Sequence, residues 1–257
     1  MNNELSYKQT NSTCPNAAQK LWGLIRWSLV RHKYLIPTFS IVQAILAVAI
    51  VCGLALLIPE IDAESTIYLS SGALTIGIIA VGCVLAPQIA SDSKQNGLFE
   101  YQRTLPVARS SIFIADIIIW TIASIPGVIM SCIASILRFD ISIYITPLSI
   151  LIILIAQISM ICIGFSIAYW LPPNAMALAT QIIMIGGLLF SPITYPAERL
   201  PMWTQCVYQA LPFVPISNLL RSSIFHFGII SVIDIVVVLS WAIIASVLAL
   251  SALSKRR

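Results

Sequence analysis

Few side chains in this sequence have both the type and the position to do chemistry inside a membrane. Asp116 and Asp234 are the two acidic residues within long apolar stretches, where a carboxyl group can carry a proton or cation during ion-coupled transport. Both lie near the ends of their stretches, so solvation at the bilayer edge explains them equally simply. We favour the interpretation that both carboxylates are solvated at the bilayer edge. The alternative is that they carry ions in an ion-coupled secondary transporter.

The sequence gives little support for an enzyme. His32 and His226 stand apart, with no H-E-x-x-H motif and no serine, histidine and acid that could converge. ATP hydrolysis needs a glycine-rich loop that ends in lysine, and no glycine in this chain is followed by lysine. The six cysteines are scattered without a C-x-x-C pair, which favours packing roles. We therefore expect no catalytic residue, metal or cofactor on this chain, and any ATP and magnesium to be bound by a partner.

The composition indicates where these residues lie. Of 257 residues, 59% are hydrophobic and only 9% are charged, and the mean hydropathy is +0.95. A helix needs about 20 apolar residues to cross the hydrocarbon core of a bilayer. Six stretches reach this length, at residues 36–58, 67–89, 112–137, 143–170, 174–193 and 229–253. We predict an all-α integral membrane protein with six transmembrane helices, in which residues 36–257 form the membrane domain.

The basic residues orient these spans. With a cytoplasmic amino terminus, only Arg138, Arg199 and Arg221 of the fourteen Lys and Arg residues lie outside. We therefore expect a multi-pass protein of the cell membrane with both termini in the cytoplasm, whose first span is an uncleaved insertion signal. Contact of the basic edge with anionic membrane lipid explains the net charge of +4, so no nucleic acid partner is expected.

Residues 1–35 are predicted to form a cytoplasmic segment with one amphipathic helix. Leu21, Ile25 and Leu29 share one helical face, and basic and tryptophan side chains surround it. Such a helix suits the inner headgroup layer. The alternative is that it simply extends the first span into the cytoplasm.

The largest predicted cytoplasmic loop covers residues 90–111. Residues 91–93 (Ser-Asp-Ser) offer helix N-caps, Pro106 is expected to end this first helix, and a second can start just after it. Leu98, Tyr101 and Leu105 share one face at helical spacing. The loop is long for a link between antiparallel helices, and the alternative interpretation is a solvated connector.

The external segment, residues 191–221, holds five of the fourteen prolines. Pro201 suits the first turn of a short helix along which Trp203, Val207 and Leu211 face one way, with a stop at Pro212. This helix would either dip into the outer interface as a re-entrant segment or belong to a surface loop.

At these two segments the chain resembles the membrane subunit of ABC-2 type ATP-binding cassette exporters. In the cytoplasmic loop, a Gly is followed by a Glu three residues later and by a Leu-Pro-Val-x-Arg ending; the external segment has Ser-Pro, Leu-Pro-x-Trp and a closing Leu-Leu-Arg. The matching residues are Gly97, Glu100, Leu105, Pro106, Val107 and Arg109, and then Ser191, Pro192, Pro196, Leu200, Pro201, Trp203, Pro212, Pro215, Leu219, Leu220 and Arg221.

The resemblance implies a coupling helix around Gly97 that seats in a groove of a separate ATP-binding subunit. It also implies an assembly of two ATP-binding subunits with this chain and a second permease chain, identical or not, which exports an amphiphilic drug-like molecule, peptide, lipid or glycan intermediate. The expected coupling residues are Gly97, Leu98, Glu100, Tyr101 and Arg103. The expected outer gate or substrate contacts are Trp203, Tyr208 and Phe213.

Overall fold

The structure, a computed structural model, describes residues 17–57, 62–104, 107–186, 191–195 and 201–254. This part of the chain is helical, with no β-strand in it. The helices are α1 (Ala17–Arg31), α2 (Leu35–Leu57), α3 (Ala63–Ile79), α4 (Ala86–Gln95), α5 (Leu98–Thr104), α6 (Arg109–Phe139), α7 (Pro147–Trp170), α8 (Pro173–Ile185), α9 (Met202–Ala210), α10 (Phe213–Ile224) and α11 (Val232–Ser254). The all-α prediction is confirmed for these residues.

Five helical segments in the described residues are long and apolar enough to cross a membrane. They are α2, the continuous helix Glu64–Gln95, α6, α7 and α11. The stretch predicted at 174–193 contains α8, which has only 13 residues, and residues 187–190 lie outside the described part. A 13-residue helix is too short to cross the hydrocarbon core alone. The sixth span therefore stays a prediction.

The amphipathic segment is a helix of its own. α1 ends at Arg31, a turn follows over residues 32–34, and α2 begins at Leu35. Both the location of α1 in the inner headgroup layer and its alternative, an extension of the first span, stay predictions. The predicted apolar face does pack: Leu24 and Ile25 are buried against Ile112 and Ala115 of α6. Leu21 and Leu29 are partly buried at the same contact. α1 is therefore docked onto the membrane domain.

We expect Ile25→Asp to undock α1, because a carboxylate would replace a buried side chain at its contact with α6. Val30→Asp is the matched control, since Val30 points away from this contact and is exposed. Hydrogen exchange of the α1 amides should accelerate by about tenfold or more in Ile25→Asp, which corresponds to about 1.4 kcal/mol. Equal exchange in the two variants would contradict the docked arrangement.

The centre of the fold is a helical rod, residues 63–95, in which α3 and α4 are joined by a π-helical turn, Ala80–Leu85. At this turn Gly82 lies against the backbone of Met160 and Ile161 in α7. An added methyl group on Gly82 would come within 2.5 Å of the Met160 Cβ. Gly164 of α7 in turn faces the Gly82 carbonyl. Two glycines thus allow the two helices to touch backbone to backbone.

Candidate functional site

A glycine turn separates α4 from α5. Gly97 has a φ of +72°, in the left-handed region that favours glycine, and the Asn96 amide donates to the Asp92 carbonyl in the last turn of α4. The predicted Gly97 turn is confirmed. The helix caps predicted at residues 91–93 are wrong, because the rod continues through them to Gln95 and places them inside α4.

α5 has one side packed on the protein and one side open. Gln102 is only 8% exposed and Leu98 is half-buried, whereas Glu100 is exposed and Tyr101 is 56% exposed. The side chain of Arg103 is not among those described, and Leu105 and Pro106 lie outside the described residues. The open side therefore presents an acid and an aromatic ring, which is a surface suited to a partner protein.

A small cavity lies behind α5, and residues of α1, α4, α5, α6 and α7 line it. Its wall includes Arg31, His32, Gln102, Asp116 and Tyr169, from α1, the following turn, α5, α6 and α7. Asp116 is half-buried there and attracts the Arg31 guanidinium, so it has an interaction within the protein. Its solvation at the bilayer edge stays a prediction. Burial lowers the pKa of Arg31. This cluster could not be predicted, because its members are distant along the chain.

His32 has a defined protonation state in this cavity. Its Nδ1–H donates to the Ser28 carbonyl at 2.9 Å, and its Nε2 accepts from Arg31 Nη2 at 3.2 Å. Burial and the neighbouring Arg31 charge lower the pKa of His32. The imidazole is therefore held neutral, as a structural link between α1 and the turn that follows it.

At the other end of the rod, α9 and α10 form the external segment. Pro201 immediately precedes α9 and Pro212 immediately precedes α10, which confirms the predicted helix boundaries. α9 has no buried residue, and Trp203 is 70% exposed. α10 is mostly buried, and Phe213 at its start packs against the main core.

Arg221 of α10 is the most extensively bonded side chain of this segment. It is only 5% exposed, and its Nε donates to Ser71 Oγ of α3 at 3.1 Å. Nη1 donates to Asn218 Oδ1 at 3.2 Å, and Nη2 donates to the Ile193 carbonyl at 3.0 Å and to Ser217 Oγ at 3.1 Å. The guanidinium carbon lies 3.7 Å from the centre of the Tyr68 ring. Arg221 thus ties α3, the 191–195 segment and α10 together.

A second cavity, of about 80 Å³, opens beside this arginine. Its wall consists of Tyr68, Pro192, Gln205, Tyr208, Gln209, Val214, Asn218 and Arg221. Of the three predicted gate residues only Tyr208 belongs to the wall; Trp203 and Phe213 lie elsewhere on the segment. Asp234 of α11 accepts from Asn218 Nδ2 at 3.4 Å, so it too has a partner within the protein.

Arg221 lies on the predicted outer side of the membrane and is not among the predicted site residues. One available signal was the polar set Ser217, Asn218 and Arg221, whose spacing puts them on one side of a helix within an apolar segment. Its distant partners, Ser71 and Ile193, carried no comparable signal.

The two regions are far apart. Ser71 at the external segment and Ser93 at the α5 cavity are 22 residues apart in the rod. At the rise of an α-helix this is about 33 Å, roughly the thickness of a hydrocarbon core. The rod thus connects the two ends of the bundle.

The helical bundle and its five candidate spans define a multi-pass membrane protein. Comparison with protein families gives a match to the ABC-2 type transporter model over residues 21–225, about four-fifths of the chain, from α1 to the end of α10. The chain therefore belongs to the ABC-2 type transporter family, whose membrane domains are permease components of transporters. No curated protein matches the chain.

Proposed function

We propose that this chain is the permease subunit of an ATP-driven exporter that moves an amphiphilic substrate out across the cell membrane. The family match over α1 to α10 is the observation that carries the proposal. Members of this family normally pair with an ATP-binding subunit. The sequence has no phosphate-binding loop, so the energy must come from such a partner.

The open side of α5 supports its assignment as the coupling helix. Glu100 and Tyr101 are exposed there, while Leu98 and Gln102 pack inward and hold the helix against the rod. A short helix that packs on the protein along one side moves together with it when a bound protein displaces the helix. In this proposal, closure of two ATP-binding subunits moves α5 and hence the spans.

The distribution of buried residues supports a second permease chain. The rod is largely buried within one chain, whereas few residues of α2 and α11 are buried. The outer faces of α2 and α11 are apolar and exposed, so they can face lipid or a second copy. We propose two permease chains, because the helices of one chain are too few to enclose the transport pathway.

The exposed α9 supports an outer location for the segment after α8. A short helix with exposed Trp203 and Val207 suits the boundary between lipid and water. With the amino terminus in the cytoplasm, this segment faces the outside, and Trp203, Tyr208 and Phe213 would contact leaving substrate. The outward direction of transport rests on the resemblance to ABC-2 type exporters alone.

Purification of the tagged full chain from its native membrane in mild detergent tests the proposal. We expect two copies of an ATP-binding subunit to co-purify in a particle with two permease chains, identical or not, and to hydrolyse ATP. Untagged membranes processed in parallel give the control for nonspecific capture. If the chain purifies alone and moves solute down an ion gradient in liposomes, the ion-coupled alternative replaces this proposal, and Asp116 and Asp234 become the residues to test.

A further inference from the structure

Arg221 is a buried cation without a neighbouring anion among the described residues. Its four hydrogen bonds all go to neutral oxygens, namely two serine hydroxyls, one amide oxygen and one backbone carbonyl. Among the described residues no carboxylate lies within ion-pair distance of it. Asp234 is reached only through Asn218, and Glu64 acts on Arg221 from further away. Because a buried charge is costly unless it is compensated, this arrangement favours the binding of an anion.

The guanidinium also keeps one N–H donor that has no partner in the described part of the chain. Arginine has five N–H groups, and the four bonds above use four of them. The remaining N–H belongs to Nη1, the nitrogen that bonds Asn218, and both Arg221 and Asn218 line the 80 Å³ cavity. The bonds to Ser71, Ser217 and Ile193 fix the orientation of the other nitrogens, so the free donor is held in place.

The rest of the cavity wall can complete such a site. Tyr208 contributes a phenol and Gln209 an amide, and neither side chain has a hydrogen bond among the described residues. The volume of about 80 Å³ exceeds that needed for one water molecule and accommodates a group of phosphate or carboxylate size. Charge-assisted bonds from arginine to such groups are stronger than those between neutral partners.

We propose that this cavity binds the anionic headgroup, a phosphate or carboxylate, of an amphiphile. This proposal rests on the proposed function. It adds one property, because it makes the exported amphiphile anionic. The bound headgroup would accept from Arg221 Nη1 and from Tyr208, at the end of the bundle opposite α5. Its tails would lie outside the cavity, against apolar helix faces.

Ligand-dependent thermal stability of the full chain, purified with the partners it retains, tests this proposal. The probes are dioctanoyl phosphatidic acid and dioctanoylglycerol, which have the same tails and differ by the phosphate, and inorganic phosphate alone. From the rise in unfolding midpoint with concentration, we expect phosphatidic acid to bind about tenfold tighter than dioctanoylglycerol. Protection by inorganic phosphate at similar concentrations would support the site with a free anion as its ligand; protection by phosphatidic acid alone would assign a lipid headgroup.

Three variants make the test specific. Arg221→Gln should remove the preference for phosphatidic acid, and Tyr208→Phe, which keeps the ring, should reduce it by about threefold. Arg138→Gln is the control. It removes an exposed arginine from the carboxyl-terminal end of α6 and should keep the full preference for phosphatidic acid. Equal binding of the two lipids by the unmodified chain overturns the proposal, as does a preference that survives both Arg221→Gln and Tyr208→Phe. If Arg221→Gln does not fold, Tyr208→Phe decides alone.

This test is independent of the transport assignment, since it measures binding without ATP hydrolysis. Loss of the ATP-binding partner in purification would overturn the proposed function and leave the anion site intact. Conversely, if the chain is an exporter but binds both lipids equally, the proposed function stands and the proposed anion site is wrong.

Discussion

Gly164→Ala is expected to prevent the chain from folding stably. The added methyl group would overlap the carbonyl oxygen of Gly82 and lie 3.0 Å from the Pro87 Cδ. The first of these neighbours is backbone within the buried rod, so it cannot rotate away as a flexible side chain would. We expect a loss of about 3 kcal/mol, the upper part of the range for overpacked cores. The measurement is the recovery of monodisperse chain in mild detergent and its unfolding midpoint.

Gly77→Ala is the matched control for this prediction. Gly77 lies in the same rod, within the same buried helix, and a methyl group there meets no atom within 4 Å. Since alanine favours helix over glycine by about 0.5–1 kcal/mol, this variant should be as stable as the unmodified chain or more so. If Gly164→Ala and Gly77→Ala gave the same midpoint, the backbone contact between the rod and α7 would be wrong.

Glu100→Lys is expected to abolish ATP-dependent export while the chain inserts normally. Glu100 is on the open side of α5, so the change leaves the packed side intact. A reversed charge in an interface places like charges together, which costs several kcal/mol and reduces binding by about a hundredfold or more. The measurements are the amount of ATP-binding subunit that co-purifies and the rate of ATP-driven export in liposomes.

Asp62→Lys provides the control for Glu100→Lys. Asp62 is an exposed acid at the start of α3, at the other end of the rod, so the same charge change occurs far from α5. It should retain the partner and the export activity. Normal export by Glu100→Lys, or an equal loss in both variants, would remove the coupling role from α5.

Much of the fold could be predicted from the sequence because long apolar runs have few structural solutions in lipid. The start of α9 after Pro201 and the packed face of α1 around Ile25 followed from local rules on proline and helical periodicity. The helix caps predicted at residues 91–93 also came from a local rule, and this prediction was wrong. There the local preference of serine and aspartate for caps was overridden by the continuation of a long, buried helix.

The sites were harder to predict, because their geometry depends on residues distant along the chain. The attraction between Asp116 and Arg31 depends on the packing of α1 beside α6. Arg221 donates a hydrogen bond to Ser71, which is 150 positions away along the chain. The prediction that Trp203 and Phe213 contact substrate rests on their aromatic character. Aromatic character does not distinguish a cavity wall from a lipid-facing or core position. The coupling role of α5 stays a prediction.

The position of the backbone contact along the rod has a mechanical consequence. Ser71, beside Arg221, and Ser93, beside α5, are each eleven residues from Gly82, where the rod touches α7. If the rod pivots at this contact, segments of about 16 Å lie on either side of the π-helical turn. A tilt of about 10° would shift both tips by about 3 Å in opposite directions. That displacement is enough to break the 3.1 Å bond between Ser71 and Arg221, and so to change the shape of the cavity from the far side of the membrane.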